Sequence, residues 1–284
     1  MPWGRRCFLL LFSVSIIASS DARGGAFLWP EGRGQIIVTT TFSNANKAYD
    51  SHGRLIQTPS YRKFETQAYV EYGALDWLTL VGESSYMNFH GGSSQFDHLS
   101  LLINEAKAGA PLSLKGPGGP RYTGLGVGSL GARVRLFEFK SYIVSLEAKL
   151  RVATPSARRF LDMRDELQAE ARLLIGRPIE VFGVHGFWDA QIGYRMRGQS
   201  GDEIRADFTY GLRPWGELLL LAQSFTAATP GKSRDRFMYS QKFQVSAVYD
   251  VTTDVSLQVG ALAALQGINS SAERGVLSAL WYRF

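Results

Sequence analysis

Cations recur at alternate positions of short apolar stretches: Arg133 with Arg135, Lys149 with Arg151, then Arg172, Arg195 and Arg205. Three carboxylates, Glu65, Glu71 and Glu83, occupy equivalent positions earlier in the chain, and Glu147, Glu170, Asp189 and Asp207 are interleaved with the cations. A side-chain period of two places such residues on one face of a strand. Enclosed between low-dielectric walls, that face generates a strong field and acts on charged solutes without covalent chemistry. Two arrangements satisfy the pattern. In one, an acidic wall (Glu65, Glu71, Glu83) faces a basic wall (Arg133, Arg135, Lys149, Arg151, Arg172, Arg195, Arg205) across a narrow bore. Arg133, Arg135, Lys149 and Arg151 then converge at similar depth, and an open path favours anions. In the other, the charges pair with their neighbours and fill the interior. Covalent chemistry finds no support: there is no G-x-S-x-G or P-loop pattern. His52, His90, His98 and His185 include no pair at metal-ligand spacing, so no metal or other cofactor is indicated.

The elements carrying these residues are strands. In 141–154, Leu146, Ala148, Leu150 and Val152 alternate with Ser145, Glu147, Lys149 and Arg151; the same parity recurs in 167–176, 187–197 and 204–212. Four such strands in succession need a cover for the apolar face, and lipid supplies it where no second sheet does. Extending the rule places strands at 35–42, 64–72, 78–89, 124–137, 218–225, 239–249, 255–263 and 275–284, although the leucine run of 218–225 shows no parity. The total of about twelve is even, as a single-chain antiparallel barrel with both termini on one side requires. Short turns at 74–76, 138–140, 214–216 and 252–254, and a longer one at 177–186, belong to the periplasmic side. The segments 43–62, 90–122, 155–165, 198–203, 227–238 and 266–273 read as extracellular loops. Within the second of these, Asp97 to Gly109 has the spacing of a short helix, with an apolar patch of a disordered loop or a strand extension as the alternative.

Residues 1–22 combine basic, apolar and small-residue regions in the order of a cleaved secretory signal, leaving 23–284 as one domain. Cys7, the only cysteine, lies inside that signal, so the exported chain has no disulfide framework. No later run approaches the roughly eighteen apolar residues of a membrane-spanning helix. The net charge of +6 is spread singly along strands, which argues against nucleic acid.

At the C-terminus, Phe284, Tyr282 and Leu280 share one strand face, and the chain stops on the aromatic. This resembles the closing strand of a bacterial outer-membrane β-barrel, whose terminal aromatic row serves as the assembly signal. The hairpin from Tyr69 to Leu80, with Glu71-Tyr72-Gly73, Asp76 and Leu78-Thr79-Leu80, resembles that of proteobacterial barrels that include the transporter-like family linked to the meta-pathway of phenol degradation. Gly124-Leu125-Gly126 and Leu130-Gly131-Ala132-Arg133 are similar to a second strand of that family, with Val127 where an acidic residue is expected. The resemblance implies passage of small, often aromatic or apolar, solutes. It also implies, as partners, outer-membrane lipids and lipopolysaccharide and the barrel-assembly machinery. A structural or export component with a filled lumen is the alternative. A barrel lipid hydrolase is a third reading; it would use His98 with Ser94 or Ser100, but residues two apart on a helix do not face each other.

Overall fold

The computed structural model describes residues 25–92, 120–161, 167–198, 201–230 and 237–284. In chain order the strands are β1 (Gly34–Tyr49), β2 (Leu55–Leu75), β3 (Leu78–Gly91), β4 (Arg121–Leu125), β5 (Val127–Phe139) and β6 (Tyr142–Ala153). After the helix α1 (Pro155–Leu161) come β7 (Leu167–Val181), β8 (Val184–Met196), β9 (Glu203–Trp215), β10 (Leu218–Thr229) and β11 (Met238–Asp250). The chain ends with β12 (Val255–Ile268), the two-residue β13 (Ser270–Ser271) and β14 (Arg274–Arg283). Each neighbouring pair is antiparallel, and β1 lies between β14 and β2, which closes the sheet on itself. β4 and β5 are halves of one wall strand interrupted at Gly126, so the barrel has twelve wall strands, β13 being only a short addition to the edge of β1. Closure leaves no open edge, which a spanning sheet requires because lipid offers backbone groups no hydrogen bonds.

The apolar face points out. Leu130, Leu146, Leu150, Leu173, Ile192, Phe208, Val259 and Leu280 are exposed, whereas Glu71, Arg133, Glu147, Glu170 and Asp189 are buried. This inverts the usual rule for exposed surfaces, and a lipid annulus is the environment in which it is favourable. Trp77, Phe139, Trp215, Tyr249 and Phe284 are exposed at the end bearing the short turns and the C-terminus, the level that amphipathic rings prefer.

Those turns are tight because the backbone is turned through positive φ. Lys140 and Ser141 (φ 47 and 69) join β5 to β6, and Phe182 with Gly183 (φ 51 and 78) join β7 to β8, as a twisted two-residue hairpin needs. The 177–186 connection is therefore a short hairpin: pairing continues to Val181↔Val184, with Pro178 opposite Phe187. Similarly, most of 43–62 is strand, because β1 and β2 continue as a ribbon to a turn at 50–54. There the Asp50 carboxylate accepts from the His52 and Arg54 amides at 2.8 and 2.9 Å. Part of 266–273 is also strand.

One helix is seen among the described residues, in the loop that follows β6. Residues 97–109 lie outside the described residues, as do His98, Ser94 and Ser100 and the signal at 1–22. The observed α1 begins in 155–165, where the Thr154 hydroxyl accepts from the Ala157 amide at 3.2 Å and Pro155 supplies a first-turn φ. Seven residues hold as a helix because Ala157 and Phe160 pack on Met87, Phe89 and Tyr122 of the barrel's inner wall.

The leucine run 218–225 lost its parity for a physical reason. Leu219 and Leu221 face inward and pack with Val248, Ala279 and Trp281, while Leu218 and Leu220 face outward, so this sector has apolar residues on both faces. The Trp281 indole donates to Gln258 Oε1 at 2.9 Å. Phe284 instead points outward, stacks on Tyr282 and Tyr72, and exchanges both backbone hydrogen bonds with Gly34. Two outcomes should separate these roles. Trp281→Ala should cost about 3–5 kcal/mol in urea titrations of the heat-modifiable fold in detergent. Deleting Phe284 should reduce folded protein in cells far more than it reduces refolding in vitro.

Candidate functional site: the lumen

The inward faces of β2 to β9 carry a connected set of ion pairs. Arg133 lies between Glu71 (2.8 Å) and Glu147 (2.7 Å), and Lys149 between Glu147 (3.0 Å) and Glu83 (2.9 Å). A second group centres on Glu170, which binds Arg172, Arg195 (2.7 Å) and Arg151 (3.6 Å). Arg172 continues to Asp207 at 2.7 Å. Glu203 gathers Arg195 (2.9 Å), Arg197 (3.0 Å) and Arg205 (3.9 Å). The acidic and basic residues are thus laced sideways along the wall, between adjacent strands and, for Arg133–Glu71, Lys149–Glu83 and Arg172–Asp207, across one intervening strand. Glu65 lies apart from both groups, pairing with Lys63 at 3.1 Å; Lys63 also reaches Glu273 at 3.4 Å, and Glu273 is bound to Lys242 and Ser43.

The reading that Arg133, Arg135, Lys149 and Arg151 share one depth is corrected by the register. Arg135 is opposite Ser145, and Arg151 is opposite Ser129. Six residues of strand separate Ser129 from Arg135, about 20 Å at ~3.3 Å per residue. Arg135 sits at the periplasmic rim, half exposed and 3.7 Å from Glu138, and Arg151 belongs to the upper lumen. The two groups also differ in balance. The lower one holds Arg133 and Lys149 against Glu71, Glu83 and Glu147, a formal 2 − 3 = −1. The upper one holds Arg151, Arg172, Arg195, Arg197 and Arg205 against Glu170, Glu203 and Asp207, a formal 5 − 3 = +2.

The lower lumen is occupied by the chain itself. Residues 25–29 run inside the barrel before β1, with Ala26, Leu28 and Trp29 buried, and 30–33 are exposed at the rim, where Glu31 and Gly32 bond to Asp76 and Gly73. The Ala26 amide donates to Asp189 at 2.6 Å, its carbonyl accepts from Ser145 at 2.7 Å, and the Phe27 carbonyl accepts from Arg133 at 3.2 Å. The Trp29 amide donates to Thr79 at 3.1 Å and its indole to Glu71 at 2.9 Å. Gly25 has φ +71 and its Cα abuts the Asp189 carboxylate, so a side chain there meets both strain and a clash. Strand periodicity could not find this segment. The apolar triplet Phe27-Leu28-Trp29 before Pro30 was its only trace, and its partners come from β2, β3, β5, β6 and β8.

A second feature absent from the sequence reading lines the upper mouth. Tyr61, Phe89, Phe160 and Tyr122 form a run of ring contacts with centroids 5.1, 5.0 and 4.9 Å apart, over the buried Met87. Met87 and Phe89 lie four and six residues beyond Glu83 on β3, and Glu83 shares its row with Ser129 and Arg151, so the rings stand about 13–20 Å along the strand above that row at ~3.3 Å per residue. The upper mouth is thus aromatic above and cationic below.

Twelve closed strands, an apolar outer band and a charged lumen define a transmembrane β-barrel of the outer-membrane kind. The fold is that of an outer membrane channel from Pseudomonas putida F1, with a TM-score of 0.60 and 15% identity over 92% of this chain and 99% of that one. The NanC porin (TM-score 0.48, 7% identity, 86% and 98% of the two chains) and the P. putida toluene transporter TodX (0.47, 12%, 90% and 91%) also align. No family model and no curated protein sequence matches the chain.

Glu170 is the group whose loss the lumen should tolerate least, because it is buried among three arginines. Glu170→Ala should destabilise the barrel by about 3–5 kcal/mol in urea titrations. Glu65→Ala, removing a half-buried carboxylate with one partner, should cost under about 1 kcal/mol.

Proposed function

We propose that this chain, exported by a signal at residues 1–22, is a passive outer-membrane channel for small solutes, with planar aromatic anions as the preferred class. The observation that carries the reading is the upper lumen, where a group of formal charge +2 lies below the Tyr61, Phe89, Tyr122 and Phe160 rings of the mouth. Arg151 and Arg205 are held only by longer contacts, 3.6 Å to Glu170 and 3.9 Å to Glu203, so their charge is less fully neutralised by the wall than that of Arg172 or Arg195. The likeness to a solved outer membrane channel supports the fold this reading requires.

In this mechanism the aromatic face strips water from the ring while the arginines attract the charged end, a pairing that lowers the cost of entry from the extracellular side. Onward passage requires 25–29 to shift, because that segment occupies the lower lumen. Its hold is polar, through Asp189, Ser145, Thr79, Glu71 and Arg133, so it can exchange with water more readily than a packed apolar plug would.

Two measurements in planar bilayers test the reading. Removing 25–33 should raise single-channel conductance several-fold over the full-length barrel. In that open form, Arg151→Glu with Arg205→Glu takes the upper group from a formal +2 to −2 and should move the reversal potential in a salt gradient from anion to cation preference. An open channel whose selectivity does not change would reduce these arginines to wall filler. A barrel that stays silent without 25–33 would favour a structural or export component with a filled lumen.

A further inference from the structure

Among the described residues, the extracellular half of the barrel's outer face carries charge in one sector only. Across β14, β1, β2, β3 and β4, the register aligns Arg274, Asn44, Arg62, His90 and Arg121 in a single row. All but Asn44 are exposed, and Arg274 Nε donates to Asn44 Oδ1 at 3.2 Å. At ~4.8 Å per strand the row is about 19 Å long. The described row holds no carboxylate, and the described outward side chains in the extracellular halves of β6–β12 carry no charge.

The next outward row down is Val276, Phe42, Phe64, Asn88 and Thr123. Phe42, Arg62, Phe64, Asn88 and His90 line a surface groove of about 300 Å³, apolar below and cationic above. Its height follows from the strand. Ten residues separate Tyr72, at the periplasmic aromatic level, from Arg62 on β2. That distance is about 33 Å along the strand and about 25 Å along a barrel axis at the usual tilt, the height of the apolar band. The row therefore sits at the outer headgroup level.

We propose that this row is a binding site for the phosphorylated headgroup of an outer-leaflet glycolipid, lipid A, with an acyl chain lying in the groove over Phe42 and Phe64. Guanidinium groups at strand spacing suit phosphate oxygens, His90 and Asn88 supply further donors, and the rings below accept hydrocarbon. A cationic row facing lipid without carboxylate partners is otherwise unfavourable, and anionic lipid supplies the missing charge. The site lies on the outer wall and does not depend on the lumen conducting.

The test is native mass spectrometry of the detergent-solubilised full-length barrel titrated with bisphosphorylated lipid A, dephosphorylated lipid A or inorganic phosphate. The wild type should retain bisphosphorylated lipid A and lose roughly tenfold or more in affinity for the dephosphorylated form. Arg62→Ala with Arg121→Ala and Arg274→Ala should lose a similar factor for the bisphosphorylated lipid, while Lys140→Ala, at a periplasmic turn, should bind as wild type. Equal binding of the two lipids by wild type would overturn the proposal, and needs no variant to fold. Undiminished binding by the heat-modifiable triple variant, inorganic phosphate competing at the lipid's own affinity, or a dimer that only the triple variant abolishes would overturn it too.

Discussion

Backbone hydrogen bonding in a medium without water is the constraint on which this structure depends. Each amide inside the lipid layer must find a partner within the sheet, so the sheet must close. β1 meets both ends of that requirement, pairing with β2 along nearly its whole length and with β14 from Gln35↔Arg283 to Asn44↔Arg274. Gly34 and Phe284 complete the seam by exchanging both backbone bonds, and the Phe284 ring lies so close to the Gly34 Cα that a side chain there would collide with it. The terminal aromatic thus serves geometry as well as the assembly role expected of it.

Closure also dictates what the interior can be. A barrel of twelve strands is too wide for aliphatic side chains alone to fill and too narrow for a large water-filled channel, so its inward residues must satisfy one another or an inserted segment. Near the periplasmic end this protein does both. Glu71 serves Arg133, Gln35 and the Trp29 indole, and Asp189 serves the Ala26 amide and Gln191. Arg133 is 2% exposed, and its two carboxylates and the Phe27 carbonyl recover what burial costs its charge. Higher up, the arginines outnumber their partners, and that imbalance gives the lumen its sign.

The polar interior is therefore divided by depth. Below lies a satisfied, segment-filled stretch, and above it a cationic and aromatic vestibule narrowed by α1. A barrel built this way is held by tightly paired buried charges below and by less fully neutralised arginines above. The two kinds can occur on one strand: Lys149 is bound on both sides, while Arg151, one alternate position on, has only a longer contact to Glu170.

The sequence alone determined the barrel. Period-two alternation is a local property that survives in each strand, so the twelve strands, their inward polar face and the tight turns at one end could all be read from residue order, as in Glu147, Lys149 and Arg151 against Leu146, Ala148 and Leu150. Where both faces are apolar, as at 218–225, the signal faded, and where strands continue beyond the membrane, as in 43–62, turn-rich composition hid them. Tertiary structure decided the rest. Whether Arg133 meets Glu71 depends on three strands in register, the fit of Ala26 against Asp189 joins residues 163 apart, and the ring contacts of Phe160 with Phe89 and Tyr122 require a loop to fold back over the mouth. Alternation says which face a residue occupies, but only register and closure say at what depth and beside whom.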